Sequence, residues 1–190
     1  MLVPEDKLAE AEEIAAKVAS KVQVGPADKE GTTMGPVVSE VQYNKIQALI
    51  QKGLDENAKL ICGGLGKPES LTKGYFVKPT VFSNVSNQMT IAREEIFGPV
   101  LSIIPYQSVE QAIEIANDTP YGLAGYVQGT DPELLKQVAA SIRAGNISIN
   151  GQSGDIMTPF GGYKQSGNGR EWGAYGFEDY LEIKAISGLA

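Results

Sequence analysis

The chain has no histidine among its 190 residues. That removes histidine-based catalytic triads, Cys–His dyads and nearly all zinc enzyme sites. Any general base has to come from Asp, Glu, Lys or Tyr, or from outside the chain. Cysteine is almost as scarce: Cys62 is the single one, so no internal disulfide can form and a reducing compartment fits. No apolar run approaches the roughly 20 residues that span a bilayer. The start, Met1-Leu2-Val3-Pro4-Glu5-Asp6, has neither the basic region nor the apolar core of a signal peptide. The reading is therefore cytoplasmic. Positive charge is also short: the net charge of −7 argues against nucleic acid and anionic membranes as partners. What remains is ordinary for a globular α/β protein, with 42% hydrophobic and 21% charged residues.

Hydrophobic periodicity places the elements. Leu8, Ala11, Ile14, Ala15, Val18 and Val22 predict an amphipathic helix over residues 5–22. A Gly, Pro and Thr-rich loop follows over 24–38. Ser39 then caps a helix over 40–56, with Ile46, Leu49, Ile50 and Leu54 inward. Lys59–Cys62 reads as a strand ending at Gly63-Gly64, and apolar neighbours make Cys62 a packed thiol. A strand is expected over 75–82 with Pro79 marking an edge or bulge, then irregular chain over 83–93 and a strand over 100–106. Ser108 and Gln111 form a capping-box pattern for the next helix. Strand 123–127, a helix opened by Asp131-Pro132 and closed by Gly145, and strand 146–150 complete a strand–helix–strand series. Such a series predicts an α/β fold of three layers, a mostly parallel sheet with flanking helices. The terminal stretch 178–186 alternates Tyr180, Glu182 and Lys184 with Leu181, Ile183 and Ala185, which predicts a terminal strand, either extending from the domain to another sheet's edge or serving as an intramolecular edge strand. No internal repeat and no P-loop or dinucleotide-binding glycine turn is present.

Two stretches carry chemistry. Glu94-Glu95-Ile96-Phe97-Gly98-Pro99-Val100 opens a buried strand. It places a carboxylate and an aromatic at a strand end, where α/β sheets bind ligands. A carboxylate there can accept two hydrogen bonds from a sugar diol, and a phenyl ring can pack on a flat heterocycle. A surface acid pair beside a core Phe is the alternative. The second stretch is residues 159–171, Pro-Phe-Gly-Gly-Tyr-Lys-Gln-Ser-Gly-Asn-Gly-Arg-Glu, on a long loop after the strand ending at Asn150.

These two segments, with Gly74-Tyr75-Phe76, Pro79-Thr80-Val81-Phe82 and Asn117 with Thr119-Pro120-Tyr121-Gly122-Leu123-Ala124, occur in one order along the chain. The set resembles the aldehyde dehydrogenase superfamily, in its C-terminal part. The resemblance implies a catalytic-domain portion over residues 1–176 and an oligomerisation strand or tail over 177–190. It implies oxidation of an aldehyde to a carboxylic acid with NAD or NADP as cofactor. Glu95 would hold the nicotinamide ribose and Phe97 would pack on the nicotinamide. Asn150 and Phe160 would border the aldehyde, and the terminal strand would pair with a neighbouring subunit in a homo-oligomer. The family's nucleophilic cysteine belongs upstream of Met1 in this resemblance, so no catalytic residue falls within these 190, no metal ligand is expected, and the chain by itself is expected to be inactive. The alternative function is a non-catalytic truncated relative serving as an assembly or binding module.

Overall fold

The computed structural model describes residues 1–188. The chain divides into two compact units, residues 1–112 and 113–190.

The first unit opens with β1 (Leu2–Pro4), a single 3-10 turn at Glu5–Lys7, and α1 (Leu8–Ser20). The helical spacing of α1 is borne out, although none of its residues is fully buried. Leu8, Ala11, Ala15 and Ala19 pack on a small core of Val3, Val81 and Ile103. Ile14 and Val18 remain more than half exposed because they line an apolar groove of about 660 Å³ between α1 and residues 79–81 and 98–101.

The Ser39 hydroxyl caps α2 (Glu40–Asp55) by accepting from the Gln42 N–H at 3.2 Å. Its inward face is Ile46, Leu49 and Ile50, all buried. The helix seats closely enough that a Cβ on Gly53 would lie 3.1 Å from both Ile91 and Phe82. Against it runs β3 (Thr80–Ser83), buried at every residue. β3 pairs antiparallel with β2 (Lys59–Cys62) and parallel with β4 (Val100–Ser102). The turn after β2 crowds the backbone: Gly63 sits at φ +83°, and a Cβ there would lie 2.2 Å from the Pro79 carbonyl. α3 (Thr90–Arg93) is a single turn in the stretch expected to be irregular. The Glu56 carboxylate holds its start, accepting from Thr90 N–H at 2.7 Å and Thr90 hydroxyl at 2.6 Å.

Two strand expectations need correction. The strand over 75–82 begins only at Thr80. Residues 75–79 leave the ladder, and Pro79 has no N–H with which to extend it. The strand over 100–106 is split. β4 pairs with β3, whereas β5 (Ile104–Tyr106) pairs parallel with β1. Ile103, fully buried, is the switch point: its N–H donates to Phe82 and its carbonyl accepts from Val85, while the Ile104 N–H donates to Met1.

α4 (Val109–Asn117) carries the chain into the second unit. Its cap is close to the expected box. Gln111 N–H donates to the Ser108 hydroxyl, but the Gln111 side chain accepts from Gln107 N–H, one residue earlier than the box requires. The second unit holds a parallel pair, β6 (Ala124–Val127) and β7 (Asn146–Ile149), joined through α5 (Pro132–Ser141). The Asp131 carboxylate caps α5 through the N–H groups of Glu133 and Leu134. Leu135 is the buried anchor of this helix, and Leu134 is 39% exposed. Gly145 does not close α5, which ends at Ser141. It is needed for close approach instead, since a Cβ there would overlap the Gly161 carbonyl. A short helix, α6 (Gly173–Glu178), was not anticipated.

The fold is α/β, with parallel pairings β1·β5, β3·β4 and β6·β7 and one antiparallel pairing, β2·β3. The strand expected over 178–186 is not formed: residues 181–188 run outside any helix or strand. Alternation alone does not make a strand. The ladder needs a partner backbone, and among the described residues this stretch has none. The last two residues of the expected tail, 189 and 190, lie outside the described residues.

Glu12 on α1 reaches Lys59 on β2 at 2.6 Å. The Lys59 ammonium, bonded to it, holds the Glu12 carboxyl below its ordinary value. A depressed acid stabilises the fold above its ordinary pKa and loses that contribution as pH falls through the folded value. Glu12→Gln should therefore cost about 0.5–1 kcal/mol in urea unfolding at neutral pH and nothing once Glu12 is protonated. Gly63→Ala, which meets backbone, should cost about 3 kcal/mol in the same measurement.

Candidate functional site

Residues 94–99 cross the N-terminal half of α2, and two side chains of that helix pin them. Gln42 Nε2 donates to the carbonyls of Ile96, at 3.1 Å, and Phe97, at 2.9 Å. Lys45 Nζ donates to the Glu95 carbonyl at 2.8 Å. Beneath them the backbone touches the helix at Gly98, where a Cβ would lie 2.6 Å from Ile46 Cδ1. The Pro99 carbonyl accepts from Thr80 N–H, which leads the chain into β4.

This grip explains an unusual conformation. Phe97 stands at φ +52°, the left-handed region, and its side chain is 73% exposed. A bulky residue there costs about 1–2 kcal/mol, and an exposed ring recovers little of it by burial. Such strain persists only where surrounding bonds over-determine it, and it gathers at ligand sites. Glu95 is exposed as well, while Ile96 between them is buried. The core-Phe alternative therefore fails: Ile96 is the core residue, and Glu95 and Phe97 face outward. A nicotinamide nucleoside fits this donor set, because the loop offers a carboxylate acceptor and an aromatic face on a fixed backbone. Sequence reasoning missed Gln42 and Lys45, because their partners are carbonyls about 50 residues away, and a carbonyl leaves no mark in the sequence.

In the second unit, two of the stretches singled out in the sequence prove to be sides of one hydrogen-bonded seam. Tyr163 N–H donates to the Gly122 carbonyl, Gly122 N–H donates to the Ser166 hydroxyl, and Gln165 N–H donates to the Pro120 carbonyl. Lys164 Nζ donates to the carbonyls of Asn117, at 2.8 Å, and Thr119, at 3.1 Å. Burial, and then the charge of Arg143, lower the Lys164 pKa. Asn117 ties the ends of α4 and α5, donating to Ser141 O and accepting from Arg143 N–H.

Asn150 and Phe160 take separate places on this frame. The Asn150 amide makes two 3.0 Å bonds to Gly129, accepting from its N–H and donating to its carbonyl. This pair locks the chain where β7 ends, with Asn150 at φ +50°. Phe160 is clamped to Glu171 by reciprocal backbone bonds of 2.8 and 2.7 Å. Its ring lies 5.2 Å from the Trp172 ring, tilted by 33°. Trp172 was missed in the sequence because nothing around it indicates that the chain doubles back there. Cys62, in β2, is pushed up by burial and does not offer a thiolate.

The family model "Aldehyde dehydrogenase family" matches residues 1–186, and the chain belongs to that family. It is 54% identical over 188 residues to 3-succinoylsemialdehyde-pyridine dehydrogenase of a Pseudomonas species, covering 99% of this chain and 39% of that protein. Among solved structures, it is similar to a cysteine-to-alanine mutant of aldehyde dehydrogenase C from Pseudomonas syringae, in complex with NAD+ and octanal. The TM-score is 0.96 and the identity 52%, covering 100% of this chain and 39% of that one. The Mycobacterium tuberculosis aldehyde dehydrogenase in complex with NAD+ gives a TM-score of 0.90 at 46% identity, covering 94% of this chain and 37% of that one. The chain thus spans about two fifths of the length of the relatives it matches.

Lys164→Met should cost about 2 kcal/mol in urea unfolding, because it leaves two carbonyls without a charged donor. Gly98→Ala should cost about 1–3 kcal/mol, and Ile46→Val, which removes the obstructing Cδ1, should recover part of it.

Proposed function

We propose that this chain supplies the nicotinamide-ribose loop and part of the aldehyde-binding wall of an NAD(P)-dependent aldehyde dehydrogenase. The observation that carries the reading is the strained, exposed Phe97 beside exposed Glu95, on carbonyls pinned by Gln42 and Lys45. NAD+ in the complexes of two neighbours supports the cofactor class, and octanal in one supports the substrate class.

On this reading the nicotinamide, when bound, supplies the hydride acceptor. Glu95 accepts hydrogen bonds from the ribose diol, and each such charge-assisted bond contributes about 1.5–3 kcal/mol. Phe97 packs against the flat ring and limits its orientation. Gln42 and Lys45 act as positioning residues, since they hold the carbonyls of 95–97 and do not themselves carry out the chemistry. Asn150 fixes the end of β7 through Gly129, and Phe160 borders the aldehyde. The nucleophilic cysteine and its base fall, on this reading, in the length of the relatives that this chain does not span. The purified chain should therefore reduce no NAD+ or NADP+ with any aldehyde, and steady cofactor reduction by the chain alone would contradict this.

A hybrid enzyme tests the residue roles, with this chain in place of the matching part of the Pseudomonas dehydrogenase. Glu95→Gln should raise the KM for cofactor about tenfold. Gln42→Ala should raise it severalfold, with kcat moving less than KM. Unchanged cofactor KM in both variants would remove the loop from the cofactor site.

The tail supports an assembly role as well. Tyr180 is 84% exposed, Ile183 98% and Ile186 73%. A stretch that alternates apolar and polar residues in this way gains a ladder by adding to a sheet edge, and we assign it to contact with a second copy of the chain. Deleting residues 179–190 should lower the mass measured by light scattering to that of a smaller assembly. An unchanged mass would sink the assignment.

A further inference from the structure

The chain holds two Asn-Gly steps, Asn150-Gly151 and Asn168-Gly169. A glycine after asparagine has no side chain to shield its nitrogen, so that nitrogen reaches the asparagine side-chain carbonyl with little steric resistance. Both asparagines are exposed. Access to water therefore does not separate them, and hydrogen bonding does.

Asn150 is locked. Its amide accepts from the Gly129 N–H and donates to the Gly129 carbonyl, both at 3.0 Å. The step itself is the centre of a closed turn, because Gln152 N–H donates to the Ile149 carbonyl at 3.1 Å. The Ser148 hydroxyl in turn donates to the Gln152 carbonyl. Asn150 at φ +50° and Gly151 at φ +74° suit such a turn. The Asn150 side chain cannot swing toward the Gly151 nitrogen without giving up both bonds to Gly129.

Asn168 is held by nothing comparable. Neither its amide nor the Gly169 N–H makes a hydrogen bond among the described residues. It lies between Gly167, at φ +127°, and Gly169, at φ +74°, in a bend outside any helix or strand. The chain around it is fixed. Arg170 donates to the carbonyls of Gly162 and Gly169, and a Cβ on Gly161 would lie 2.6 Å from the Gly169 carbonyl. An unbonded amide and an unbonded nitrogen are thus adjacent on an otherwise anchored loop.

We propose that Asn168 is a modification site, at which the folded chain deamidates and isomerises while Asn150 stays intact. The Gly169 nitrogen bonds to the Asn168 side-chain carbonyl carbon. The bond from that carbon to its amide nitrogen breaks, and the nitrogen leaves as ammonia with the proton that Gly169 gives up. Water then adds to one of the two carbonyls of the five-membered imide, and ring opening gives aspartate or isoaspartate. No oxidant or reductant takes part. Each event adds one negative charge two residues from Arg170. Isoaspartate also lengthens the main chain by one carbon next to the point where the Gly169 carbonyl approaches Gly161. The reaction is independent of the aldehyde-oxidising reading above.

The purified chain, aged in warm, mildly alkaline buffer and cut with trypsin, yields the two sites in separate peptides, residues 144–164 and 165–170. Mass spectrometry reads each event as a gain of one mass unit. In the native chain Asn168 should convert at least about tenfold faster than Asn150, which must first break two hydrogen bonds. In concentrated urea the gap should close to within about threefold, because neither step is then held by a fold. Isoaspartate is read separately, by an isoaspartyl-directed O-methyltransferase that moves the methyl group of S-adenosylmethionine to the new carboxylate and releases S-adenosylhomocysteine. Methyl incorporation should rise as the chain ages and be mostly lost in Asn168→Gln, whose side chain is one methylene too long for the five-membered ring. Equal conversion of the two sites in the native chain, or faster conversion of Asn150, overturns the proposal. So does a gap that persists unchanged in urea, which assigns it to sequence alone, and so does methyl incorporation undiminished in Asn168→Gln.

Discussion

The constraint on which the first unit depends is the seating of residues 94–99 across α2. Three contacts enforce it: the Gln42 amide on two carbonyls, the Lys45 ammonium on a third, and the Gly98 backbone against Ile46. Ile46 is fully buried, so the helix cannot yield without opening the core it shares with Phe82 and Ile50. The loop therefore inherits its rigidity from the best-packed part of the unit. Phe97 can be held at an unfavourable φ with its ring outward because the energy that holds it comes from neighbouring residues.

The second unit solves a similar problem with backbone. Its glycines bring chains within reach, as Gly145 does against Gly161, and Lys164 and Ser166 then close the seam to residues 117–122. What projects from that frame is aromatic: Phe160, clamped to Glu171, and Trp172 beside it. Both units set exposed aromatic rings on backbone that has little freedom. That is the arrangement expected where a flat or apolar ligand must be met without an ordering cost at the moment of binding.

Much of this was legible in the sequence. Ser39 and Asp131 cap their helices as their side chains require, and the Ile46, Leu49, Ile50 spacing marks the buried face of α2. The α/β class followed from the succession of elements, and Glu95 and Phe97 stood out beside Gly98-Pro99. Failures came where a long-range partner decides the outcome. The split between β4 and β5 depends on which neighbour Ile103 and Ile104 bond to, and no local pattern records that. Gly145 looked like a helix stop and serves instead for close approach to Gly161. The tail has strand alternation without a strand, because a ladder is a property of two backbones. Trp172 was invisible because its meaning lies in a ring twelve residues earlier in the chain, brought back by the Phe160–Glu171 bridge.

The central claim is that Phe97 meets the nicotinamide end of the cofactor. Fluorine NMR of the hybrid enzyme, with a fluorinated phenylalanine placed only at position 97, tests it most directly. The account predicts that NAD+ and nicotinamide mononucleotide both shift the resonance and that adenosine monophosphate does not. A resonance that responds to adenosine monophosphate as it does to NAD+, or to none of the three, would contradict it.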